Sequence, residues 1–170
     1  MREILFRGKR KDCKAWEIGN YSKYDFQAGR KHFINGFEYE VYPETVGQFT
    51  GLYDRTKWED LTDAEKLNFY HQHYIGEDGM SVRFQHIDDV KFLWKGKKIF
   101  EGDIVTFRSG LMWVVDFQLN AFVAMDGQRV QFAFFEQYDW DHKTHEPIAP
   151  DYFEVIGNIH DNPELLEVTE

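Results

Sequence analysis

Residues 96–105 read GKKIFEGDIV, which places a glycine–aspartate pair directly before a run of β-branched residues. Gly102 permits a sharp bend of the backbone, and the Asp103 carboxylate can accept hydrogen bonds from the turn. Three further runs of strand-forming residues follow before residue 133, separated by turn signals such as Asp126-Gly127. Such close spacing predicts an antiparallel meander, and a Gly-Asp turn leading into tight hairpins is typical of small SH3-like barrels.

The rest of the chain extends this β-rich pattern. Alternating runs at residues 4–7 and 16–21 flank a lysine-rich turn, which predicts a hairpin, and residues 153–159 form another alternating run. Phe, Tyr and Trp make up 18% of the residues, enough large side chains to fill a barrel interior. We therefore predict a mainly β protein, a small antiparallel β-barrel that is SH3-like and partly open.

Three segments of the chain resemble the YopX family of phage and prophage proteins. They are residues 44–54 (ETVGQFTGLYD), residues 96–105, and residues 153–166 (FEVIGNIHDNPELL), with a shorter match near residues 2–10. In that family the first two segments usually run together through a short polar turn. The resemblance implies a β-rich, self-associating protein of phage or prophage origin. No activity is known for the family, so the resemblance implies no catalytic residue.

Residues 55–95 separate the first two segments, and we interpret them as an insertion within a single YopX-like domain over residues 1–170. Thr62 and Glu65 have the spacing of a capping box, which predicts a helix over about residues 62–74. Residues 81–84 and 90–94 are predicted to form two short strands, so the insertion is an α+β excursion. Apolar residues recur at i, i+3 and i+7 along the predicted helix and form one face, which must pack on the barrel or on a second subunit. The candidate self-association residues are Leu67, Tyr70 and Tyr74.

Composition and charge narrow the possible functions without choosing one. The net charge of −10 disfavours general nucleic-acid binding, and the single cysteine, Cys13, excludes an internal disulfide. No window approaches the length of a membrane span, and the first residues lack the apolar run of a signal peptide. We therefore expect no membrane contact and a cytoplasmic location in the bacterial host.

The sequence also lacks a phosphate-binding loop, a dinucleotide fingerprint and a Ser-His-Asp signature. We therefore predict a protein that is not an enzyme, needs no cofactor, and acts by binding or assembly. The expected partners are further copies of the chain and a host or phage protein.

Two alternatives stay open. The first is a metal-assisted hydrolase that uses the loop over residues 139–146, where Asp141, His142 and His145 offer ligand types for a divalent cation. The spacing of these residues matches no known metal motif. The second alternative is a module for single-stranded nucleic acid in the basic N-terminal third, where aromatic residues alternate with cations. Its candidate contacts, which also suit a protein partner, are Arg7, Lys14, Trp16, Lys23 and Arg30.

Overall fold

The computed structural model of the chain describes residues 4–74, 86–107, 110–118, 121–126, 129–133 and 153–166. Within these residues the strands form three antiparallel sheets, of four, five and three strands. The predicted mainly β class is therefore confirmed. None of the three sheets closes on itself in this part of the chain, so the fold is an open one rather than a closed barrel.

The elements have the following bounds. The strands are β1 Phe6–Lys9, β2 Trp16–Gly19, β3 Tyr21–Phe26, β4 Gly29–Ile34, β5 Tyr39–Glu40, β6 Gly47–Tyr53, β7 Lys98–Phe100, β8 Asp103–Phe107, β9 Met112–Gln118, β10 Ala121–Asp126, β11 Arg129–Ala133 and β12 Phe153–Asn158. The α-helix α1 spans Asp63–Tyr74, and short 3-10 helices span Pro43–Thr45, Trp58–Asp60, Ile87–Leu93 and Pro163–Leu166. The sheet orders are β2-β1-β6-β7, β11-β10-β9-β8-β12 and β3-β4-β5.

Strands β6 and β7 bring the two separated segments together as neighbours in one sheet. Phe49 lies opposite Phe100, and the Thr50 hydroxyl donates to the carbonyl of Ile99 at 2.9 Å. A Cβ atom on Gly47 would lie 2.3 Å from the Glu101 carbonyl oxygen, so only glycine fits this contact. The insertion therefore interrupts a hairpin and leaves its strand pairing intact.

The predicted Gly-Asp turn connects β7 to β8. Gly102 has a φ of +82°, and the Phe100 amide donates to Asp103 Oδ2 at 2.7 Å. Strands β8 to β11 then form the predicted meander, and β12 returns to pair with β8. The buried core of this region consists of Ile99, Val105, Trp113, Val115 and Phe153.

Helix α1 lies where the capping box predicts it. The Thr62 amide donates to Glu65 Oε2 at 2.9 Å, and the Glu65 amide donates to the Thr62 hydroxyl at 3.3 Å. The insertion has a buried cluster of its own, which we name the insertion core. It comprises Trp58, Leu61 and Val90, with Phe69, Tyr70, Leu93 and Trp94 packed against them.

The predicted strand over residues 90–94 is wrong, because Ile87–Leu93 is a 3-10 helix. The His86 amide donates to Asp89 Oδ2 at 2.8 Å and caps this helix. The three-residue repeat places Val90 and Leu93 on the same side, where both reach the insertion core. A strand would have sent their side chains to opposite faces. The predicted strand over residues 81–84 lies outside the described residues.

The predicted apolar face of α1 is only partly correct. Tyr70 packs on the insertion core as expected, but Leu67 is 48% exposed, and Phe69 takes the packed position instead. The side chain of Tyr74 lies outside the described part of the structure. The helix therefore packs within its own insertion through Phe69 and Tyr70, and Leu67 is left exposed. The single-domain organisation of residues 1–170 stays a prediction.

Candidate functional site

A groove of about 870 Å³ lies between the insertion and the first sheet. We name it the α1–β7 groove, after the helix and the strand whose residues line it. Its size is in the range of small-molecule sites. Its lining includes Arg7, Trp16, Tyr53, Glu65, Phe69, Trp94, Lys95, Lys97, Lys98, Phe100 and Asp103.

Cations outnumber carboxylates in the lining. Besides Arg7, the cations are three lysines close together before and within β7, whereas the carboxylates are Glu65 and Asp103. Lys97 Nζ pairs with Glu65 at 3.0 Å. Within the described ranges, Lys95 and Lys98 have no carboxylate at ion-pair distance. Because the whole chain carries a net charge of −10, this local positive excess runs against the overall field.

Arg7 and Asp103 form a buried ion pair at the floor of the groove. Arg7 Nη1 lies 2.5 Å from Asp103 Oδ1, and the guanidinium carbon lies 4.8 Å from the Trp16 ring centroid and 5.0 Å from that of Phe100. Arg7 Nε, by contrast, lacks a hydrogen-bond partner among the residues that the structure describes. The floor of the groove thus holds one buried donor that is unsatisfied.

Burial raises the pKa of Asp103 to about 6, against the attraction of Arg7 and the Phe100 hydrogen bond; the nearby Asp54 charge raises it slightly further. Burial lowers the pKa of His160, and the Arg7 charge lowers it too. Protonation of Asp103 leaves the charge of Arg7 without its counter-ion. The groove therefore becomes more positive at mildly acidic pH.

Trp16 is held in the groove wall by the turn that follows β12. Its indole Nε1–H donates to Asp161 Oδ2 at 2.6 Å, and Lys9 forms an ion pair with the same carboxylate. Burial pushes the pKa of Asp161 upward, but the hydrogen bonds from Lys9, Trp16 and Asn158 outweigh it and bring the pKa to about 2. The Asp161 carboxylate therefore stays charged, and holds Trp16 and Lys9, over the whole pH range in which the protein would be studied.

Asp54 fixes the segment that carries the groove lysines. Its carboxylate accepts from the Lys97 amide at 2.7 Å and from the Val155 amide at 3.0 Å, and it is 2% exposed. This residue ends the first YopX-like segment, so the sequence marks its position. Nothing in the local pattern indicates that its side chain is buried.

The five N-terminal candidates do not come together. Arg7 and Trp16 line the groove, whereas Lys14 lies in the turn after β1, with its Nζ 4.0 Å from the Tyr42 ring centroid. Lys23 lies on β3, and Arg30 on β4 pairs with Asp25 at 2.7 Å. Of the five candidates, Arg7 and Trp16 therefore line the groove, and the other three do not.

The groove residues that sequence reasoning missed are Tyr53, Lys95, Lys97 and Lys98. Three lysines within four positions, directly after Trp94, were the available signal. Their placement opposite Arg7 depends on the pairing of distant strands, which that signal does not show.

The β3–β4 hairpin and the turn that follows β4 carry a second notable surface, a group of exposed aromatic side chains. Phe37 stacks on Tyr24 with the ring centroids 4.2 Å apart, and Phe26 lies edge-on to Phe37. These side chains are 37–62% exposed. Lys23 and Arg30 lie on the same hairpin, so this surface combines apolar rings with cations.

The metal candidates Asp141, His142 and His145 lie outside the described residues. In the part of the chain that the structure does describe, no three metal-type side chains come together. That same part contains no helix with the length and apolar character needed to cross a membrane.

Replacing Asp103 with Asn is expected to change the pH dependence of stability. The pKa of Asp103 rises from 3.8 to about 6 on folding, so the wild type gains stability as the pH falls from about 6 to about 4. The pKa difference corresponds to a gain on the order of 2–3 kcal/mol, which Asn cannot make because it does not titrate.

Urea denaturation at pH 7 and pH 4 measures this effect. The free energy of unfolding of the wild type, relative to Asp103→Asn, should rise by that amount towards pH 4. Groups that titrate in both proteins, such as His160, largely cancel in the comparison. A difference that stays constant between the two pH values would contradict the raised pKa.

Comparison with known proteins adds a family and no activity. The model of the YopX protein family matches residues 94–167, which include the second and third segments that resemble the family and exclude residues 44–54. No curated protein matches the chain. The matched part contains β7, β8, β12 and the three groove lysines, so the groove is built partly from it. Over residues 94–167, which are less than half of the chain, the protein is therefore similar to the YopX family.

Proposed function

We propose that the protein is a non-catalytic binding protein whose α1–β7 groove takes an anionic ligand. The observation that carries this proposal is the pair of ammonium groups on Lys95 and Lys98, which face a groove and have no carboxylate partner among the described residues. In a chain with a net charge of −10, most lysines have acidic neighbours available. Two lysines that lie beside a cavity and have no acidic neighbour can attract an anion.

The two carboxylates of the groove support a binding role over acid–base chemistry. Glu65 is held by Lys97 at 3.0 Å and by the capping box, and its pKa is lowered to about 2, chiefly by the Thr62 amide. Asp103 is buried beside Arg7 and holds the turn between β7 and β8. Each carboxylate thus has a structural task that its present contacts explain.

Isothermal titration with inorganic tripolyphosphate at low ionic strength tests the proposal. We expect binding by the wild type, and a loss of about tenfold or more in the double variant Lys95→Ala/Lys98→Ala. A hydrogen bond to a charged group contributes about 1.5–3 kcal/mol, so two lost ammoniums account for such a decrease. Binding should also weaken as salt is added, because salt screens exposed charges.

The matched control is Lys11→Ala/Lys23→Ala, which removes the same charge from exposed positions away from the groove. It should retain tripolyphosphate binding within about twofold. No binding by the wild type at low salt would overturn the proposal. An equal loss in both double variants would reduce it to a general charge effect.

The other expectations stay predictions. Self-association has two available surfaces, Leu67 on α1 and the exposed aromatic side chains of the β3–β4 hairpin. A host or phage protein partner, a phage origin and a cytoplasmic location rest on the family resemblance and the composition. The metal-assisted hydrolase rests on residues that the structure does not describe.

A further inference from the structure

Lys95 and Lys98, which have no carboxylate partner among the described residues, both approach one aromatic ring. Lys95 Nζ lies 5.8 Å from the ring centroid of Tyr53, and Lys98 Nζ lies 5.9 Å from it. The Tyr53 ring packs edge-on against Phe49, with the centroids 5.5 Å apart. An anion held by both ammoniums would therefore lie beside a ring whose position is fixed by the sheet.

Further aromatic side chains extend this surface along the groove. Trp94 is fixed by a hydrogen bond from its indole nitrogen to the Thr56 carbonyl at 2.8 Å and meets Phe69 edge-on at 5.0 Å. Trp16 lines the part of the groove where Arg7 lies. Such a lining favours a ligand with a flat aromatic ring, because stacking on aromatic side chains is available to any such ring.

The floor of the groove adds a polar complement. Arg7 Nε is a buried donor without a hydrogen-bond partner in the described ranges, whereas Asp103 Oδ1 is already paired with Arg7 Nη1 at 2.5 Å. A buried donor without a partner is costly, and its presence beside a cavity is a signal for a missing ligand group. The edge of a nucleobase presents ring nitrogens and carbonyl oxygens that can accept a hydrogen bond from such a donor.

We infer that the ligand of the groove is a nucleotide, either free or as one unit of a single strand. Its phosphate would bind Lys95 and Lys98, and its base would stack within the aromatic lining beside Tyr53. This inference rests on the proposed function and names the class of anion. The volume of about 870 Å³ suits a nucleotide and is too small for a duplex.

Calorimetric titration with ATP, inorganic tripolyphosphate and a short single-stranded DNA tests the inference. ATP should bind at least about tenfold more tightly than tripolyphosphate, since base stacking on an aromatic side chain typically increases affinity by that factor or more. Tyr53→Leu should lower the affinity for ATP about tenfold and change that for tripolyphosphate less than twofold. Tyr53→Phe keeps the ring and should retain the affinity for both.

The outcomes distinguish failure of the nucleotide inference from failure of the anion-binding function. Equal affinity for ATP and tripolyphosphate would overturn the nucleotide inference and leave the anion-binding function standing. No binding of any probe would overturn both. Tighter binding of the oligonucleotide than of ATP would support the inference with a strand as the source, and the reverse order would support it with a free nucleotide.

A poorly folded variant does not block the test. If Tyr53→Leu unfolds, the comparison of ATP with tripolyphosphate on the wild type still decides the ligand class. Circular dichroism of Tyr53→Leu and Tyr53→Phe shows whether the two variants can be compared.

Discussion

Replacing Asp54 with Ala is expected to lower the free energy of unfolding by about 3–5 kcal/mol. The carboxylate accepts from three backbone amides, those of Thr56, Lys97 and Val155, at 2.7–3.0 Å, and from the Thr56 hydroxyl at 2.7 Å. Each buried donor that loses its acceptor costs about 1–3 kcal/mol. The loss is a large part of the 5–15 kcal/mol that stabilises a typical domain.

The position of Asp54 explains why one residue carries so much. It lies where the chain leaves β6 for the insertion, and it binds the backbone where the chain returns at Lys97. It also binds the first turn of the insertion at Thr56 and strand β12 at Val155. Three parts of the chain, distant in sequence, therefore share a single buried acceptor.

Urea denaturation of Asp54→Ala, Asp54→Asn and Asp25→Asn tests this role. Asparagine keeps one accepting oxygen, so Asp54→Asn should lose about 2 kcal/mol, less than the alanine variant. Asp25 pairs with Arg30 on the surface, where ion pairs contribute about 0–1 kcal/mol, so Asp25→Asn is the matched control. A stability change for Asp54→Ala no larger than that of the control would refute the proposed role.

The features that the sequence predicts well are those that depend on neighbouring residues. The Gly102-Asp103 turn, the Thr62–Glu65 capping box and the closely spaced meander are each specified within a few positions. The mainly β class follows from these local patterns. The strand predicted at residues 90–94 fails because a short apolar run suits a strand and a 3-10 helix equally, and only the insertion core selects the helix.

The candidate site was less predictable, because it is built from contacts between distant residues. Arg7 and Trp16 could be proposed from their types, since cations and aromatic residues alternate there. The ion pair between Arg7 and Asp103 joins strand β1 to the start of strand β8, and no local pattern indicates it. The groove lysines are visible in the sequence, but their aromatic partner Tyr53 comes before the insertion and the lysines come after it.

Replacing Trp58 with Ala is expected to unfold the insertion while the sheets persist. Trp58 is 4% exposed, packs edge-on against Phe69 and Trp94, and donates from its indole nitrogen to Asp88 Oδ1 at 2.8 Å. Truncation of a buried Trp costs about 3–5 kcal/mol. A helix of 12 residues is marginal without tertiary packing, so α1 should melt when the insertion core is lost.

Hydrogen exchange measures this effect region by region. Amides of α1 should lose protection in Trp58→Ala, whereas those of β8 and β9, whose core includes Val105 and Val115, should keep it. Trp58→Phe retains a ring and should lose much less. Leu67→Ala changes an exposed position of the same helix and serves as the control.

Loss of the insertion also removes one wall of the groove, so Trp58→Ala should bind tripolyphosphate more weakly although none of the groove lysines has changed. Equal loss of protection in α1 and in β8–β9 would show that the insertion and the sheets unfold as one unit. In that case the sheets depend on residues 55–95 for their stability, and the pairing of β6 with β7 does not hold them together without the insertion. Retained protection in β8–β9 together with β6–β7 would instead show that this hairpin tolerates loss of the insertion, with Phe49 and Phe100 still paired.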